Sequence, residues 1–243
     1  MQIHAVSLDL DDTLWPVLPA LIEAEHCVDR WLREHHPTVA SAWPIEAMRE
    51  LRDRIAQENT HLSHDFSEQR RLTIRHAFSA CGIDDAPVDE LWTIYFAARN
   101  RVELYPDSLA ALERIAAHRP IASISNGNAD LEVIGLHHFF RERLSASIEG
   151  VAKPHPRIFR AAAERLGIAP EHILHVGDDP LLDVVGAREA GLVTGWLNRT
   201  GATWSHGPAP DYEFPDMTAL ADWLEADRLS GSSSRASQAH PIS

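Results

Sequence analysis

The chain has 243 residues, 44% of them hydrophobic and 24% charged, with a net charge of −14. That length suffices for one large α/β domain, or for a core carrying a smaller insert. So acidic a surface repels phosphate-rich partners, which argues against nucleic acid and anionic membrane.

The start, MQIHAVSLDL, has no basic region leading into a long apolar run, so no signal peptide is expected. No apolar stretch approaches the ~20 residues that span a bilayer. Cys27 and Cys81 are far apart and lack C-x-x-C spacing, so neither structural zinc nor a disulfide scaffold is expected, and the cytoplasm is the expected compartment.

Ile3 to Leu14 (IHAVSLDLDDTL) runs apolar residues into the acids Asp9, Asp11 and Asp12. This is the pattern of a buried parallel strand leaving its sheet. From Trp15 to about Val102 the pattern turns helical, with four amphipathic faces marked by Leu18 to Leu32, Ile45 to Ile55, Ile74 to Cys81 and Leu91 to Phe96. Beyond Tyr105-Pro106-Asp107 strands and helices alternate. Asp107 or Ser108 caps a helix carrying Leu109, Leu112 and Ile115. Strands are expected at Pro120 to Ser125, Leu144 to Ile148, Ile173 to Val176 and Leu192 to Leu197, with helices ending at Gly167 and Gly191.

The expected fold class is therefore α/β, a Rossmann-like doubly wound parallel sheet with an inserted all-α helical bundle. The expected division is a core of residues 1–15 and 105–229, a helical insert of 16–104, and a Ser-rich disordered tail of 230–243.

Four polar groups follow predicted strands: Asp9-x-Asp11-x-Thr13, Ser125-Asn126-Gly127, Lys153, and Gly177-Asp178-Asp179 with Asp183. Ligands of open α/β sheets sit at the carboxyl ends of the strands, so these groups should converge. Three carboxylates in the first group need a compensating positive charge or partial protonation; a divalent metal is the simplest compensation, and an all-oxygen donor set suggests Mg2+. Asp9 can attack phosphorus, and Asp11 can move protons to the leaving oxygen and from water. Ser125, Asn126 and Thr13 are assigned to the phosphate surface, and Lys153 supplies fixed positive charge. A metal held by Asp9 and Asp178 would let two anions approach. Asp12 reads as a turn residue.

VSLDLDDTL, ASISNG, AKPHPRIF and HVGDDPLLD together resemble the motifs of the haloacid dehalogenase superfamily of aspartate-nucleophile phosphohydrolases. The insert directly after the first motif is similar to that family's helical C1 cap. The resemblance implies Asp9 as nucleophile, Asp11 as general acid/base, and Ser125 and Lys153 on phosphate. It implies Mg2+ on Asp9, the Asp11 carbonyl and Asp178, with Asp179 or Asp183 in support. True dehalogenases lack the second acid, so Asp11 favours phosphatase. ISNGNADLEVIGLHHFF and ILHVGDD resemble bacterial phosphatases of flavin mononucleotide and of a phosphoribitylamino-pyrimidine. The implied partner is a small phosphorylated metabolite, taken by a monomer or homodimer. The alternatives, in order, are a phosphosugar mutase, a 2-haloacid dehalogenase and a non-enzymatic phosphoacceptor module.

Arg70 and Arg71 read as an exposed pair, with reach to a substrate as the alternative. His61 and His64 read as loop histidines and the cysteines as inert core. Trp15 reads as packing at a hinge, with stacking on a planar base as the alternative.

Overall fold

The computed structural model describes residues 2–236, with side chains through Leu229. Its strands are β1 (Ala5–Leu8), β2 (Ile121–Ser125), β3 (Phe140–Ser145), β4 (Ile173–Gly177), β5 (Val193–Leu197) and β6 (Tyr212–Phe214). They form one six-stranded parallel sheet in the order β3-β2-β1-β4-β5-β6. Every residue of β1, β2, β4 and β5 is buried. A strand covered on both faces needs no polar alternation, which is why these four read as continuous apolar runs.

Five helices fill the interval after β1: α1 (Val17–His35), α2 (Pro37–Ala42), α3 (Ile45–Glu58), α4 (Phe66–Ala80) and α5 (Val88–Arg99). They bury an apolar cluster of their own around Leu32, Leu51, Ile74, Phe78 and Leu91. The remaining helices are α6 (Ser108–Ala116), α7 (Leu131–Ile134), α8 (Ala146–Glu149), α9 (Pro156–Leu166), α10 (Gly186–Glu189) and α11 (Met217–Ala236). α6 and α11 cover one sheet face through Leu112, Ile115, Met217, Leu220 and Leu224. α9 and α10 cover the other through Ile158, Phe159, Ala162, Leu166 and Ala187. Each fully buried Leu, Ile, Phe or Met among them contributes about 2 kcal/mol of transfer free energy.

The departures from expectation lie at the edges. The strand expected at Leu144 to Ile148 lies earlier, at Phe140–Ser145, and Ala146–Glu149 is helical. β3 is an edge strand with charged, exposed positions, so no apolar run marks it. β6 is an opposite edge of three residues with Tyr212 and Glu213 exposed. The insert has five helices rather than four because Pro37, at the first turn of α2, starts a separate short helix. Asp107 makes no capping bond to α6; it accepts from Arg199 and from the Met217 amide instead. The backbone of α11 continues to Ala236, through the start of the segment expected to be disordered, because extending a formed helix adds one hydrogen bond per residue. Residues 237–243 of that expected tail lie outside the described residues.

Candidate functional site

Pairing register gathers the motifs. Leu8 lies opposite Ser123 on β2 and opposite Val176 on β4, and the Asp9 amide donates to the Val176 carbonyl at 3.0 Å. Asp9, Ser125 and Asp178 therefore leave the sheet at one edge, where β1 sits between β2 and β4. That is the point at which chain order reverses, and there open α/β sheets bind ligands.

Lys153 reaches this edge from the loop before α9. Its ammonium is buried and donates to Asp9 Oδ1 and to Asp183 Oδ1, each at 2.6 Å. His175 Nε2 lies 3.2 Å from the same Asp183 oxygen, and His175 Nδ1 lies 2.9 Å from Ser7 Oγ. An ionised carboxylate only accepts, so Nε2 carries the ring proton and the serine hydroxyl donates to Nδ1. Burial pushes the imidazole pKa down, which keeps the ring neutral. Burial alone would raise Asp183, but Lys153 and His175 hold its carboxyl well below the usual range. Burial opposes the charge on Lys153, and Asp183 and Asp9 more than restore it, so its pKa lies above the ordinary value.

Asp178 stands across from this chain. Burial, reinforced by the charge of Asp183, pushes its carboxyl up to about 7. Burial likewise raises Asp9 well above the ordinary carboxylate range against the pull of Lys153, with Asp183 and Asp178 adding to the rise. Asp9, Asp178 and Asp183 each present an oxygen within 4.8 Å of the other two. Three converging carboxylates, two of them costly to ionise as they stand, fit a hard divalent cation with oxygen ligands.

Two glycines make these approaches possible. A Cβ on Gly177 would overlap the Asp183 carboxyl, and one on Gly127 would overlap Asp11 Oδ2. Asp183 is aimed inward by a π-helical turn at Pro180–Val185, whose N-cap is Asp179.

Asp11 is held by groups outside the four motifs. Nη2 of Arg99, at the end of α5, donates to Oδ1 at 2.8 Å and to Oδ2 at 2.6 Å. Trp15 Nε1 donates to Oδ1 at 2.8 Å. Both lone pairs of Oδ1 are thus engaged, while Oδ2 keeps one free. Arg99 Nε donates to Asn128 Oδ1 at 2.9 Å, and its Nη1 is buried without a partner. Asp12 takes a left-handed backbone (φ 57°), and its carboxylate accepts from the Val17 amide at 3.0 Å, a turn role.

The other sequence candidates divide by position. Ser125 is buried, its Oγ accepts from the Gly127 amide at 3.0 Å, and its hydroxyl proton is left to donate. The Asn126 side chain forms a reciprocal pair with the Lys153 backbone, at 2.7 Å from the amide and 3.0 Å to the carbonyl. The side chain therefore fixes the lysine backbone, while Asn126 still lines the cleft. Thr13 is fully buried, and its hydroxyl donates to Asp178 Oδ1 at 3.1 Å. Asp179 accepts from the Leu181 and Leu182 amides at 2.8 Å. Of the two acids in support, Asp183 joins the carboxylate group and Asp179 caps the turn.

Asp9, Asp11, Lys153, Ser125 and Asp178 open onto a cleft of about 500 Å3, whose opposite wall carries Arg52, Phe66, Gln69 and Arg70 from α3 and α4. Arg70 and Arg71 do not form an exposed pair: Arg71 bonds Asp89 away from the cleft. His61 and His64 join no metal-ligating group among the described residues. Cys27 and Cys81 are half-buried, and the Cys27 thiol donates to Glu23.

Sequence reasoning missed Arg99, Asn128 and His175 and the hydrogen bond from Trp15. Arg99 lies four residues after Tyr95 on the buried face of α5, and a cation on an apolar helical face is a detectable signal. His175 is the lone titratable residue in the fully buried β4.

The fold and this carboxylate–ammonium constellation define a Rossmann-like α/β hydrolase. Residues 3–191 match the haloacid dehalogenase-like hydrolase family, and the chain belongs to that family. It is 29% identical over 231 residues to the 5-amino-6-(5-phospho-D-ribitylamino)uracil phosphatase YigB of Escherichia coli (strain K12), covering 92% of this chain and 97% of that one. It is 30% identical over 225 residues to a glyceraldehyde 3-phosphate phosphatase of Methanopyrus kandleri, covering 89% and 92%. The crystal structure of a 2-haloacid dehalogenase from Pseudomonas syringae pv. tomato superposes with a TM-score of 0.86 at 34% identity, covering 92% of this chain and 99% of that one. Among its relatives the chain is a phosphatase-type hydrolase. No helix among the described residues is long and apolar enough to cross a membrane.

Proposed function

We propose that the chain is a Mg2+-dependent phosphomonoesterase that acts on a small phosphorylated metabolite through an aspartyl-phosphate on Asp9. In this reading residues 1–15 and 105–229 form the catalytic core, and the helical insert 16–104 caps the cleft. The observation that carries it is the pair of differently held acids: Asp9 bonded to Lys153, Asp11 held by Arg99 and Trp15.

Asp9 Oδ1 is committed to Lys153, so Oδ2 is the attacking atom. As the Oδ2–phosphorus bond forms and the ester bond breaks, Asp11 delivers a proton to the leaving oxygen from the free position on its own Oδ2. Water then attacks phosphorus, Asp11 takes its proton, and Asp9 is regenerated with release of phosphate. The Ser125 hydroxyl and Lys153 hold the phosphoryl oxygens during both steps. Mg2+ bound by Asp9, Asp178 and Asp183 would supply charge neutralisation between nucleophile and phosphate. Thr13 orients Asp178, and His175 orients Asp183.

The YigB likeness points to 5-amino-6-(5-phospho-D-ribitylamino)uracil, and the motif resemblance to flavin mononucleotide, as the substrates to try first. A dehalogenase reading draws on the Pseudomonas neighbour. Halide, however, leaves without a proton, which gives Asp11 nothing to do in the first step. The test is phosphate release from 4-nitrophenyl phosphate with Mg2+ or with chelator, beside halide release from 2-chloropropionate. Phosphate release that is lost with chelator and in Asp9→Asn supports the phosphatase. Halide release without phosphate release rejects it.

A further inference from the structure

Four cationic side chains line the cleft, and three are neutralised where they stand. Lys153 is paired with Asp9 and Asp183, Arg99 with Asp11, and Arg52 with Glu25 and Asp53. Arg70 forms no ion pair among the described residues. Its guanidinium carbon lies over the Tyr95 ring, 3.7 Å from the ring centroid, and Tyr95 itself is buried.

That arrangement has a cost and a use. A guanidinium stays charged in proteins, and taking it out of water without a carboxylate is unfavourable. Burial presses on its proton accordingly. Stacking offsets part of this, since cation–π contacts contribute about 0.5–2 kcal/mol. The contact with Tyr95 also restrains the guanidinium, so less rotamer freedom is lost when a ligand binds. Arg71, next in sequence, has a carboxylate partner and lies outside the cleft. The contrast singles out Arg70 as the cleft cation without a carboxylate partner, its nearest support being Tyr95.

We propose that Arg70 recognises the end of the substrate remote from the phosphate, and that this end carries an oxygen acceptor, either a carboxylate or a ring carbonyl. The phosphoryl end is served by Ser125 and Lys153 at the sheet edge. Arg70 faces the same cleft from α4, on the insert. The cleft holds Asp9, Asp11, Asp12, Asp53 and Asp178, so a second anionic or electron-rich group needs a local cation to enter. A volume of about 500 Å3 accommodates a metabolite with both ends occupied.

The inference rests on the phosphomonoesterase reading and is tested by Arg70→Met and Arg70→Lys. kcat/KM is measured on phenyl phosphate and glycerol phosphate, on phosphoserine and 4-carboxyphenyl phosphate for the carboxylate arm, and on flavin mononucleotide for the carbonyl arm. Taking each variant against wild type on the same ester cancels leaving-group reactivity. Arg70→Met should lose at least about tenfold more on one arm than on phenyl or glycerol phosphate, mainly through KM. Arg70→Lys should recover part of that loss, and the arm affected identifies the acceptor. An equal loss on all five esters, or none, overturns the proposal while wild-type turnover leaves the phosphatase reading intact. Wild-type protein inert on every ester would instead reject the phosphatase reading. Thermal melting of both variants separates misfolding from lost recognition.

Discussion

The sheet edge and the outer face of the helical insert use the same residue types in opposite ways. At the edge, Lys153 serves two carboxylates, Asp183 accepts from lysine, imidazole and an amide, and Asp11 is held by three hydrogen bonds. On the insert, Arg33–Asp29, Arg30–Glu23 and Arg75–Glu68 are single pairs one or two turns apart whose arginines are well exposed. Burial is the variable that separates them. In a low-dielectric site each unmatched charge is costly, so every member constrains the others. In water the same pairs are screened and nearly independent. Reaction chemistry that needs fixed geometry belongs at the edge, and the exposed pairs on the outer face of the insert carry no such constraint.

The largest break in this contrast comes from Lys153→Met. Asp9 and Asp183 would then share a buried site with no cation between them. Removing one partner of a buried pair costs about 3–5 kcal/mol. Loss of the fixed charge on phosphate should lower kcat about a thousandfold. The stability loss has a sign in pH. Without lysine both carboxyls rise, so the deficit should be full at about pH 7 and shrink toward about pH 5 as they take up protons. Urea unfolding at the two pH values checks it, and a variant as stable as wild type at neutral pH would contradict the coupling.

The second break separates the two half-reactions. Trp15→Phe removes one donor to Asp11, and Arg99→Lys removes the guanidinium nitrogen that spans both of its oxygens. A misplaced general acid/base costs about 10–100-fold. 4-Nitrophenolate leaves without protonation, so rapid mixing should show a nitrophenolate burst near one equivalent followed by slow turnover. Alkyl phosphates should show no burst, because their leaving oxygen needs the proton. Equal slowing of burst and turnover would mean that Trp15 and Arg99 serve packing alone.

The same difference in burial explains what could be read from the sequence. The four central strands and the convergence of Asp9, Ser125, Lys153 and Asp178 were legible because buried parallel strands are continuous apolar runs ended by polar clusters. β3 and β6 were not, because an edge strand is covered on fewer sides and tolerates charge at most positions. Within the site, residue type told which groups are chemical but not which way they point. Thr13 and Asn126 were assigned to phosphate, yet their side chains hold Asp178 and the Lys153 backbone. Arg99 meets Asp11 across 88 positions of sequence, a contact that only the folded insert creates. Asp183 and Asp179 were indistinguishable until the π-helical turn aimed one inward and left the other as a cap.

A smaller effect tests the carboxylate group directly. Asp178, with its pKa raised to about 7, is an acid that the folded state protonates more readily than the unfolded chain does. Its stabilising share is therefore present below the ordinary aspartate range and is lost as pH rises through about 7; Asp9, also raised, adds in the same direction. A divalent cation binds the ionised forms, so the gain in melting temperature from Mg2+ over chelator should be small at about pH 5. At about pH 8 it should reach roughly 5–10 °C near a hundredfold excess over Kd. A gain independent of pH would show that these carboxylates are not the ligands.

The smallest expected effect sets the other end of the scale. Glu25 on the insert is half-way between the regimes: its mostly buried carboxylate accepts from Arg49 at 2.6 Å and from Arg52 at 3.3 Å. Glu25→Gln should cost about 1–2 kcal/mol, since it leaves Arg49 without a carboxylate partner and Arg52 with Asp53 alone. Arg33→Ala breaks an i,i+4 pair with an exposed arginine; its loss should be the smallest of the three and should vanish in molar salt. Chemical denaturation of the two variants in low and high salt places them on one axis with Lys153→Met. If burial governs what an ion pair contributes here, the three losses fall in the order of burial and only the Arg33 loss is erased by salt. An Arg33 loss as large and as salt-resistant as that of Lys153 would mean that the insert is held as tightly as the sheet edge, and the division of labour between them would fail.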